Sequence, residues 1–497
     1  MTPRPQSYSR DPRWIPAIVF VALINLWHPV GYVGGGADDD RYIAGALCWV
    51  ANGPCIPVNH WEGRWPLVSL LALSIEVFGL NRIGIAAPSI AASLTCLVLI
   101  KKIGDRFDPR IGTAAALVLG AVPVFVTQAF NTTVESLELA FILASGLAII
   151  SGRPLIAGIA LGMAFQVRET SLAAFLPAAY LLRKDYRALL YLGSGFSVVL
   201  LVELVVFYAW TGEPLYRRTL SMQHVALPSS ELANPPKGSP LFNWEYLRSW
   251  RYDPGIHVHW LIDGLLNLMA NIRSAFLYSL TPLLWLLYRR RLAVSERRAV
   301  GFLILFALFY TSVLIYVLAI DPKARMMFVP IAALALAFAI LVTRAWNPVV
   351  QVLVFALAGL IALLIAAQPR QARYQAAAER FEARFPNQIE TAQPGYFALS
   401  RLRDLPAIGS GKPLLLVLKS DRCFHGADQD PLDLRHVQVV AEMRAHPIAI
   451  AVGNRWSVCL YRYVGTPPIL NARPVMGPTV RIINRAVVDP LDGHPKR

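Results

Sequence analysis

The chain has 497 residues, of which 56% are hydrophobic and only 16% are charged, and its mean hydropathy is +0.47. A soluble protein carries about a quarter charged residues, so this composition excludes an ordinary soluble enzyme and predicts a polytopic membrane protein. The formal net charge of +16 does not predict nucleic-acid binding, because membrane proteins retain lysine and arginine in their cytoplasmic loops.

Apolar runs long enough to cross roughly 30 Å of hydrocarbon recur through the first three quarters of the chain. The first run, from Trp14 to Val33, is too long for the apolar region of a signal peptide and lacks a small-residue cleavage site. We therefore expect it to be a retained helix. About eleven spans are predicted in all, near residues 14–33, 82–100, 111–128, 134–150, 154–167, 170–183, 188–210, 264–288, 299–320, 326–343 and 347–367.

The basic clusters predict the orientation of these spans. With the amino terminus inside, every cluster falls on the cytoplasmic side, as the positive-inside rule requires. The clusters precede the first span and follow the second, fourth, sixth, eighth and tenth spans: Arg4, Arg10 and Arg13; Lys101, Lys102, Arg106 and Arg110; Arg153; Arg183, Lys184 and Arg187; Arg289, Arg290, Arg291, Arg297 and Arg298; and Arg344.

The opposite side of the predicted membrane protein collects the unusual loops. The first covers residues 34–81, the second covers residues 211–263, and Asp321–Arg325 form a short third loop. Between the short fifth and sixth spans lie Arg168 and Glu169. Polar, irregular backbone at membrane depth is tolerated only where it lines a cavity, so a break facing such a cavity is predicted there.

The chain changes character after the last predicted span. Residues 1–367 form the predicted membrane module, whereas residues 368–497 are less hydrophobic and contain short apolar runs. We expect the latter to form a small α/β domain outside the cytoplasm, since an odd number of spans precedes it, and its length suffices for its own core.

The cysteines separate into two pairs and a single residue. Cys48 and Cys55 share the first external loop, Cys423 and Cys459 share the terminal domain, and Cys96 lies in a span. Both pairs fall on the predicted exported face, where disulfides persist. Four free thiols remain the alternative, since spacing alone does not determine pairing.

Three consecutive carboxylates, Asp38, Asp39 and Asp40, follow the first span. One acid there could simply be solvated, but three neighbours raise one another's pKa and favour a general base. Carboxylate oxygens also suit Mg²⁺ or Mn²⁺. The candidate ligands for such a cation are Asp38, Asp39, Asp40, His60, Glu62 and Glu135.

Other ionisable residues lie at the same predicted face. Glu135 is at the external mouth of the fourth span, with Glu138 one turn deeper as the alternative; an acid this close to hydrocarbon is a functional candidate. Arg168 and Arg325 could be ordinary interfacial arginines. Guanidinium groups that face several acids could instead bind a lipid phosphate, with Arg64 and Lys323 as further candidates.

The order of these features resembles the GT-C class of integral-membrane glycosyltransferases. The features are an acidic pair before Arg41-Tyr42, the segment Trp61-Glu62-Gly63-Arg64-Trp65-Pro66, then Phe78-Gly79, the acid Glu135, Arg168 after Gly162-Met163-Ala164-Phe165, and Arg325 with Pro330. The resemblance is to the branch of protein O-mannosyltransferases and lipid A aminoarabinose transferases. It covers roughly residues 14–340 and excludes the terminal domain.

The resemblance implies a sugar donor linked to a polyprenyl phosphate, used outside the cytoplasm with inversion at the anomeric carbon. It implies that Asp38 and Asp39 form the acidic pair containing the catalytic base, with Glu135 as the second acid. Arg168 and Arg325 match basic positions near the donor phosphate. A bacterial inner-membrane location with the site facing the periplasm follows, with cell-envelope glycan, lipid or protein as acceptor.

This chain departs from the family pattern at three positions. Asp39 stands where Glu is common, Arg168 stands where the aminoarabinose transferases tend to have Lys, and Arg325 is followed by two methionines instead of an aromatic residue. Two other classes of function remain open: a transporter, whose broken helices and intramembrane charges would look similar, and a lipid-binding or flippase-like scaffold that recruits a partner.

Overall fold

The structure is a computed structural model. It describes residues 38–129, 132–225 and 255–347 apart from 319 and 321, together with the shorter segments 349–351, 353–354, 380–391 apart from 382 and 387, 413–419, 437–444 and 457–463. The predicted first span, 14–33, lies outside the described residues, as does most of the predicted last span, 347–367.

The described part of the chain is mainly α-helical. In chain order they are α1 (Asp38–Asn52), α2 (Trp65–Phe78), α3 (Arg82–Gly104), α4 (Pro109–Gly120), α5 (Pro123–Gln128), α6 (Glu135–Ile150), α7 (Pro154–Val167), α8 (Phe175–Leu182), α9 (Tyr186–Thr211), α10 (Tyr216–Val225), α11 (Trp260–Met269), α12 (Leu277–Tyr288), α13 (Val294–Ser312) and α14 (Phe328–Ala345). Short 3₁₀ turns cover Glu169–Ala174 and Ala324–Met327, among others.

The chain is an integral membrane protein. Among the described residues, four helical segments are long and apolar enough to cross a bilayer: Ile83–Gly104, Tyr186–Thr211, Val294–Val317 and Ala324–Ala345. Shorter apolar helices accompany them, including Pro154–Val167 and Trp260–Met269. The predicted class, a helical membrane bundle with a small α/β region, is confirmed. The number of eleven spans stays a prediction.

Helix α14 lies at the centre of the bundle and α9 at its periphery. Of the most apolar stretch of Ala324–Ala345, which contains α14, 89% is buried inside the protein. For Tyr186–Thr211, which is α9, the buried share is only 17%. Helix α14 packs against α4, α12 and α13, and α9 packs against α7. The approach of α7 to α9 requires glycine, since a Cβ atom on Gly162 would lie 2.7 Å from Cβ of Val199.

Two predicted spans are broken in the structure. The segment 111–128 divides at Ala121–Val122, where Val122 is extended (φ −71°, ψ 121°) before Pro123, because proline disfavours helical backbone in the residue before it. The segment 264–288 begins earlier, at Trp260, and is interrupted after Met269. There Ala275 and Phe276 adopt left-handed backbone conformations with φ of 52° and 54°.

Two further spans are altered at one end. The sixth begins as the 3₁₀ turn Glu169–Ala174 and becomes α-helical only at Phe175. The ninth begins at Val294 and ends in a single π-helical turn, Val313–Val317. Single π-helical turns are frequent at functional sites. The irregular backbone predicted around Arg168 and Glu169 is thus present.

The carboxylates of the first external loop begin a helix that sequence reasoning missed. Asp38 is the first residue of α1, where a negative charge is favoured by the helix dipole. Helices α1, α2 and α3 form a second core around Tyr42, Leu67, Leu71 and Ile85. This core holds the loop between α1 and α2 firmly in place beside the bundle.

Polar contacts gather at opposite ends of the long helices. At one end, Arg106 donates to Ser151 Oγ (3.0 Å) just beyond α6, and Arg344 near the end of α14 pairs with Asp108 (3.2 Å) and Glu296 (2.8 Å). At the other end, Glu135 begins α6 and Arg325 precedes α14. Helices of this length separate the ends by about 25 Å. This grouping agrees with the predicted topology.

The strands lie within the predicted terminal domain. Four strands, β1 (Ile389–Thr391), β2 (Leu414–Lys419), β3 (Val437–Arg444) and β4 (Ser457–Tyr463), form one sheet in the order β1-β2-β4-β3. Strands β1 and β2 are parallel and the other pairs antiparallel. The boundary at residue 368 stays a prediction.

The structure joins Cys48 of α1 and Cys55, in the loop that follows it, in a disulfide. Cys459 of β4 is also disulfide-bonded, and Cys423 lies outside the described residues. Cys96 is a buried free thiol in α3.

Candidate active site

Asp38 lies at the meeting point of three chain segments. Its Oδ1 accepts a hydrogen bond of 2.9 Å from the indole Nε1 of Trp61, in the loop between α1 and α2. Its Oδ2 lies 3.7 Å from Nη2 of Arg325, in the 3₁₀ turn before α14. The side chains of Asp38 and Arg325 are 32% and 33% exposed, respectively. The carboxylate is therefore held by the protein but open to a ligand.

The pKa of Asp38 is lowered, contrary to the expectation that its acidic neighbours raise it. Burial raises this pKa, but the positive charges of Arg325, Arg64 and Arg168 and the hydrogen bond from Trp61 outweigh burial and hold it below its usual range. From the sequence, these arginines are interpreted only as ligands of a phosphate. Asp38 is consequently ionised throughout the neutral range.

Arg64 contributes a second guanidinium group from the residue before α2. Its Nη1 donates to the hydroxyl of Tyr42, a fully buried residue of α1. Burial lowers the pKa of Arg64, but Tyr42 and the carboxylates of Glu169 and Asp38 raise it above its usual value. Arg64 therefore stays charged beside Asp38.

Arg168 lies at the end of α7, where extended backbone (φ −158°, ψ 127°) ends the helix. Its Nη1 is 3.5 Å from Oε2 of Glu138, and its Nη2 is 2.7 Å from Sδ of Met326. Because Met326 follows Arg325, this contact brings two of the predicted phosphate-binding arginines, Arg168 and Arg325, to one place.

Glu138 is the central acceptor behind Arg168. Its Oε1 accepts hydrogen bonds from Thr170 (3.1 Å), Ser171 (2.8 Å) and Tyr310 (2.9 Å). The carboxylate is 1% exposed. Burying a charge is costly unless it is paired and hydrogen-bonded, and here both conditions are met. Glu138 thus fixes the start of the 3₁₀ turn beside Arg168.

Glu135, preferred in sequence over Glu138, is also buried, at 3% exposure. Within the described part of the chain its Oε2 has no hydrogen-bond partner. Burial raises the pKa of Tyr42. The charge of Arg64 lowers it, and the charges of Asp38 and Glu135 raise it further. Glu135 therefore faces the same group of charges. Which of the two acids assists the reaction stays a prediction.

Glu62 organises the external loop. Its two carboxylate oxygens accept from the Val58 amide (2.9 Å) and from Nδ2 of Asn59 (2.6 Å). Burial raises the pKa of Glu62, and these two donors and Arg41 offset the effect only in part.

Trp61 of the same loop is packed between two other side chains. The centroid of the His60 ring lies 3.6 Å from that of the Trp61 ring, and the guanidinium of Arg41 lies 3.7 Å from the centroid of the same indole.

Among the described side chains, no three His, Cys, Asp or Glu residues come together as a metal-ligand group. The side chains of Asp39 and Asp40 lie outside the described residues, although their backbone is part of α1. The divalent cation therefore stays a prediction. Lys323 lies in extended backbone two residues before Arg325.

Sequence reasoning missed a second buried charge group behind Arg168. Arg217 of α10 pairs with Glu169 (2.8 Å) and with Glu203 of α9 (3.0 Å). Glu203 is the signal that could have revealed the group, since a carboxylate inside an otherwise apolar span requires a partner.

A protein-family model described as dolichyl-phosphate-mannose-protein mannosyltransferase matches residues 66–211. The resemblance to this branch of membrane glycosyltransferases is thereby confirmed over α2 to α9, a segment that carries Glu135 and Arg168. No curated protein matches the sequence.

Two solved structures share a similar course of the chain. ArnT from Cupriavidus metallidurans bound to undecaprenyl phosphate is 17% identical, with a TM-score of 0.45 over 75% of this chain and 73% of that one. The apo state of the same protein gives 17% identity and a TM-score of 0.43 over 74% and 70%.

Proposed function

We propose that this protein is an inverting glycosyltransferase that moves a monosaccharide from a polyprenyl-phosphate donor to a lipid, glycan or protein acceptor. The observation that carries the proposal is the convergence of Arg325, Arg64 and Arg168 on the partly exposed carboxylate of Asp38. A general base and the cations that stabilise a leaving phosphate are the two requirements of this displacement. The matched mannosyltransferase family model supports the same class of reaction.

In the proposed reaction, the acceptor hydroxyl attacks the anomeric carbon from the side opposite the phosphate. Its proton passes to a carboxylate oxygen of Asp38 as the new glycosidic bond forms. The bond between the anomeric carbon and the phosphate oxygen breaks, and the electron pair leaves with the polyprenyl phosphate. One base and no protein nucleophile suffice, so the anomeric configuration inverts.

The arginines have separate tasks in this proposal. Arg325, one-third exposed, is available to contact the phosphate directly, and a guanidinium can bind phosphate through two parallel hydrogen bonds. Arg168 is buried more deeply, and both Arg64 and Arg168 add positive charge that acts on Asp38. Lys323 is placed to contribute from the same loop. Glu135 is the proposed second acid, and Asp39 the second member of the acidic pair.

The setting of the site suits a lipid-linked substrate. Arg168 lies between the apolar helices Pro154–Val167 and Glu169–Leu182, where a lipid phosphate at the membrane surface can reach it. We propose that this surface is the periplasmic side of a bacterial inner membrane, because the basic clusters gather at the opposite end. The terminal sheet would then be periplasmic as well.

The test is a transfer assay with the full-length protein in proteoliposomes. Labelled polyprenyl-phosphate sugars are supplied with candidate acceptors, and sugar transfer from at least one donor is expected. Flux of a solute across the vesicles with no donor consumed would overturn the proposal in favour of a transporter. Repeating the assay with a chelator tests whether transfer requires Mg²⁺ or Mn²⁺, a requirement that the sequence leaves open.

A further inference from the structure

Arg217 links three parts of the molecule around the proposed phosphate site. It lies in α10, at the beginning of the second external loop, and only 6% of its side chain is exposed. Its Nη2 donates to the carbonyl of Phe165 (2.9 Å) at the end of α7, and to Glu169 (2.8 Å). Its Nη1 donates to Gln166 and to Glu203 in α9.

These contacts flank Arg168 on both sides along the chain. Phe165 and Gln166 precede it, and Glu169 follows it directly. Glu138 holds the same turn from the opposite direction, through Thr170 and Ser171. The extended backbone of Arg168, which points its guanidinium towards Met326, is thus fixed between one anion and one cation.

Glu169 is the member of this group that matters for the phosphate. Its side chain is 39% exposed, unlike that of Glu203 at 9%. It is also close enough to Arg64 for its charge to act on that guanidinium. Without a fixed partner, this carboxylate would compete with a substrate phosphate for Arg64 and Arg168, since an anion within about 4–6 Å of an arginine strongly favours pairing.

We propose that Arg217 is a positioning residue that engages the Glu169 carboxylate and so limits its competition with the phosphate for the positive charge of Arg64 and Arg168. Its planar guanidinium suits the task, because Nη2 can pair with Glu169 while Nη1 pairs with Glu203. The neighbouring Tyr216 hydroxyl donates to the carbonyl of Pro57 (3.1 Å), so α10 also contacts the first external loop. Helix α10 therefore braces both the loop that carries Trp61 and the turn that carries Arg168.

The inference rests on the proposed function, so the test measures phosphate binding directly. The probe is a polyprenyl phosphate without sugar, titrated into the purified full-length protein in detergent. Because Arg217→Gln alone would leave Glu203 buried without its cation, the variants carry Glu203→Gln as well. The decisive comparison is between R217Q/E203Q and R217Q/E203Q/E169Q, which differ only in the charge of residue 169.

We expect R217Q/E203Q to bind the polyprenyl phosphate at least about tenfold more weakly than wild type, which corresponds to about 1.4 kcal/mol. Adding E169Q should restore most of that affinity. Equal affinities for the double and triple variants would overturn the role of Arg217, as would wild-type affinity in the double variant. Absence of binding by the wild-type protein would instead contradict the proposed function.

Arg217→Lys provides a variant that keeps the positive charge. A lysine ammonium cannot reproduce the planar fork, so weaker binding that E169Q restores is again expected. If R217K lowered thermal stability with no change in polyprenyl phosphate affinity, Arg217 would be a purely structural residue.

Discussion

The two ends of helices α6 and α14 carry charges in opposite circumstances. At the end containing Arg344, Lys101 and Asp105 pair at 2.7 Å and Arg344 contacts Glu296 at 2.8 Å, with partly exposed side chains. At the end containing Asp38, the Arg168–Glu138 and Arg325–Asp38 pairs meet only at 3.5 and 3.7 Å. The closer pair of Arg217 with Glu169, at 2.8 Å, lies behind them.

This difference distinguishes charges that stabilise the protein at its solvated surface from charges that bind a ligand. Each exposed ion pair contributes about 0–1 kcal/mol to folding stability, and its two charges approach each other to contact distance. Buried ions cost free energy and are retained where they are used. The loosely paired end is therefore the place where a phosphate and a hydroxyl would complete the electrostatics.

The largest expected effect is on catalysis at the loosely paired end. Asp38→Asn removes the proton acceptor, and sugar transfer should fall about 100- to 10,000-fold. Asp108→Asn, a matched change at the other end, should leave transfer within about twofold. Initial rates in proteoliposomes measure both. Comparable rates for the two variants would show that Asp38 is not the base.

The next effect concerns stability. Arg168→Gln leaves the buried Glu138 carboxylate without its cation, which should cost about 3–5 kcal/mol of folding free energy. Arg344→Gln breaks two partly exposed pairs and should cost about 0–1 kcal/mol. Thermal unfolding in detergent compares them. An equal decrease in Tm would mean that the two ends do not differ as described.

A smaller effect is expected on the pH dependence. Asp38 must be ionised to act, and its pKa is held below the usual range mainly by Arg325. Activity should therefore persist to a lower pH than an ordinary aspartate would allow. Arg325→Gln removes the largest of the charges that lower this pKa and should move the acidic limb upward. Rates normalised to each variant's maximum report the shift, and an unmoved limb would place Arg325 away from Asp38.

The helical membrane class and the grouping of Asp38, Arg64, Arg168 and Arg325 could be predicted from the sequence. Hydropathy reports on span length, and the apolar helices confirm that part. The four residues are candidates because they lie at one predicted end of the spans, and the structure brings their charges together. Their roles, and the side of the membrane inferred from the basic clusters, stay predictions.

The remainder depended on contacts between distant segments. Hydropathy does not register that Pro123 divides one span, or that Glu138 accepts from Tyr310, 172 residues away. The lowered pKa of Asp38 likewise required Arg325, which lies far along the chain. The sequence pattern showed only the neighbouring aspartates, and therefore favoured a shift in the wrong direction.

The most direct test of the account is the anomeric configuration of the product. A single carboxylate base at Asp38, with no protein nucleophile, requires one displacement at the sugar. Nuclear magnetic resonance of the product made from a donor of known configuration should show the opposite anomer. Retention of the donor's configuration would contradict the account, because it requires a second displacement at a nucleophile.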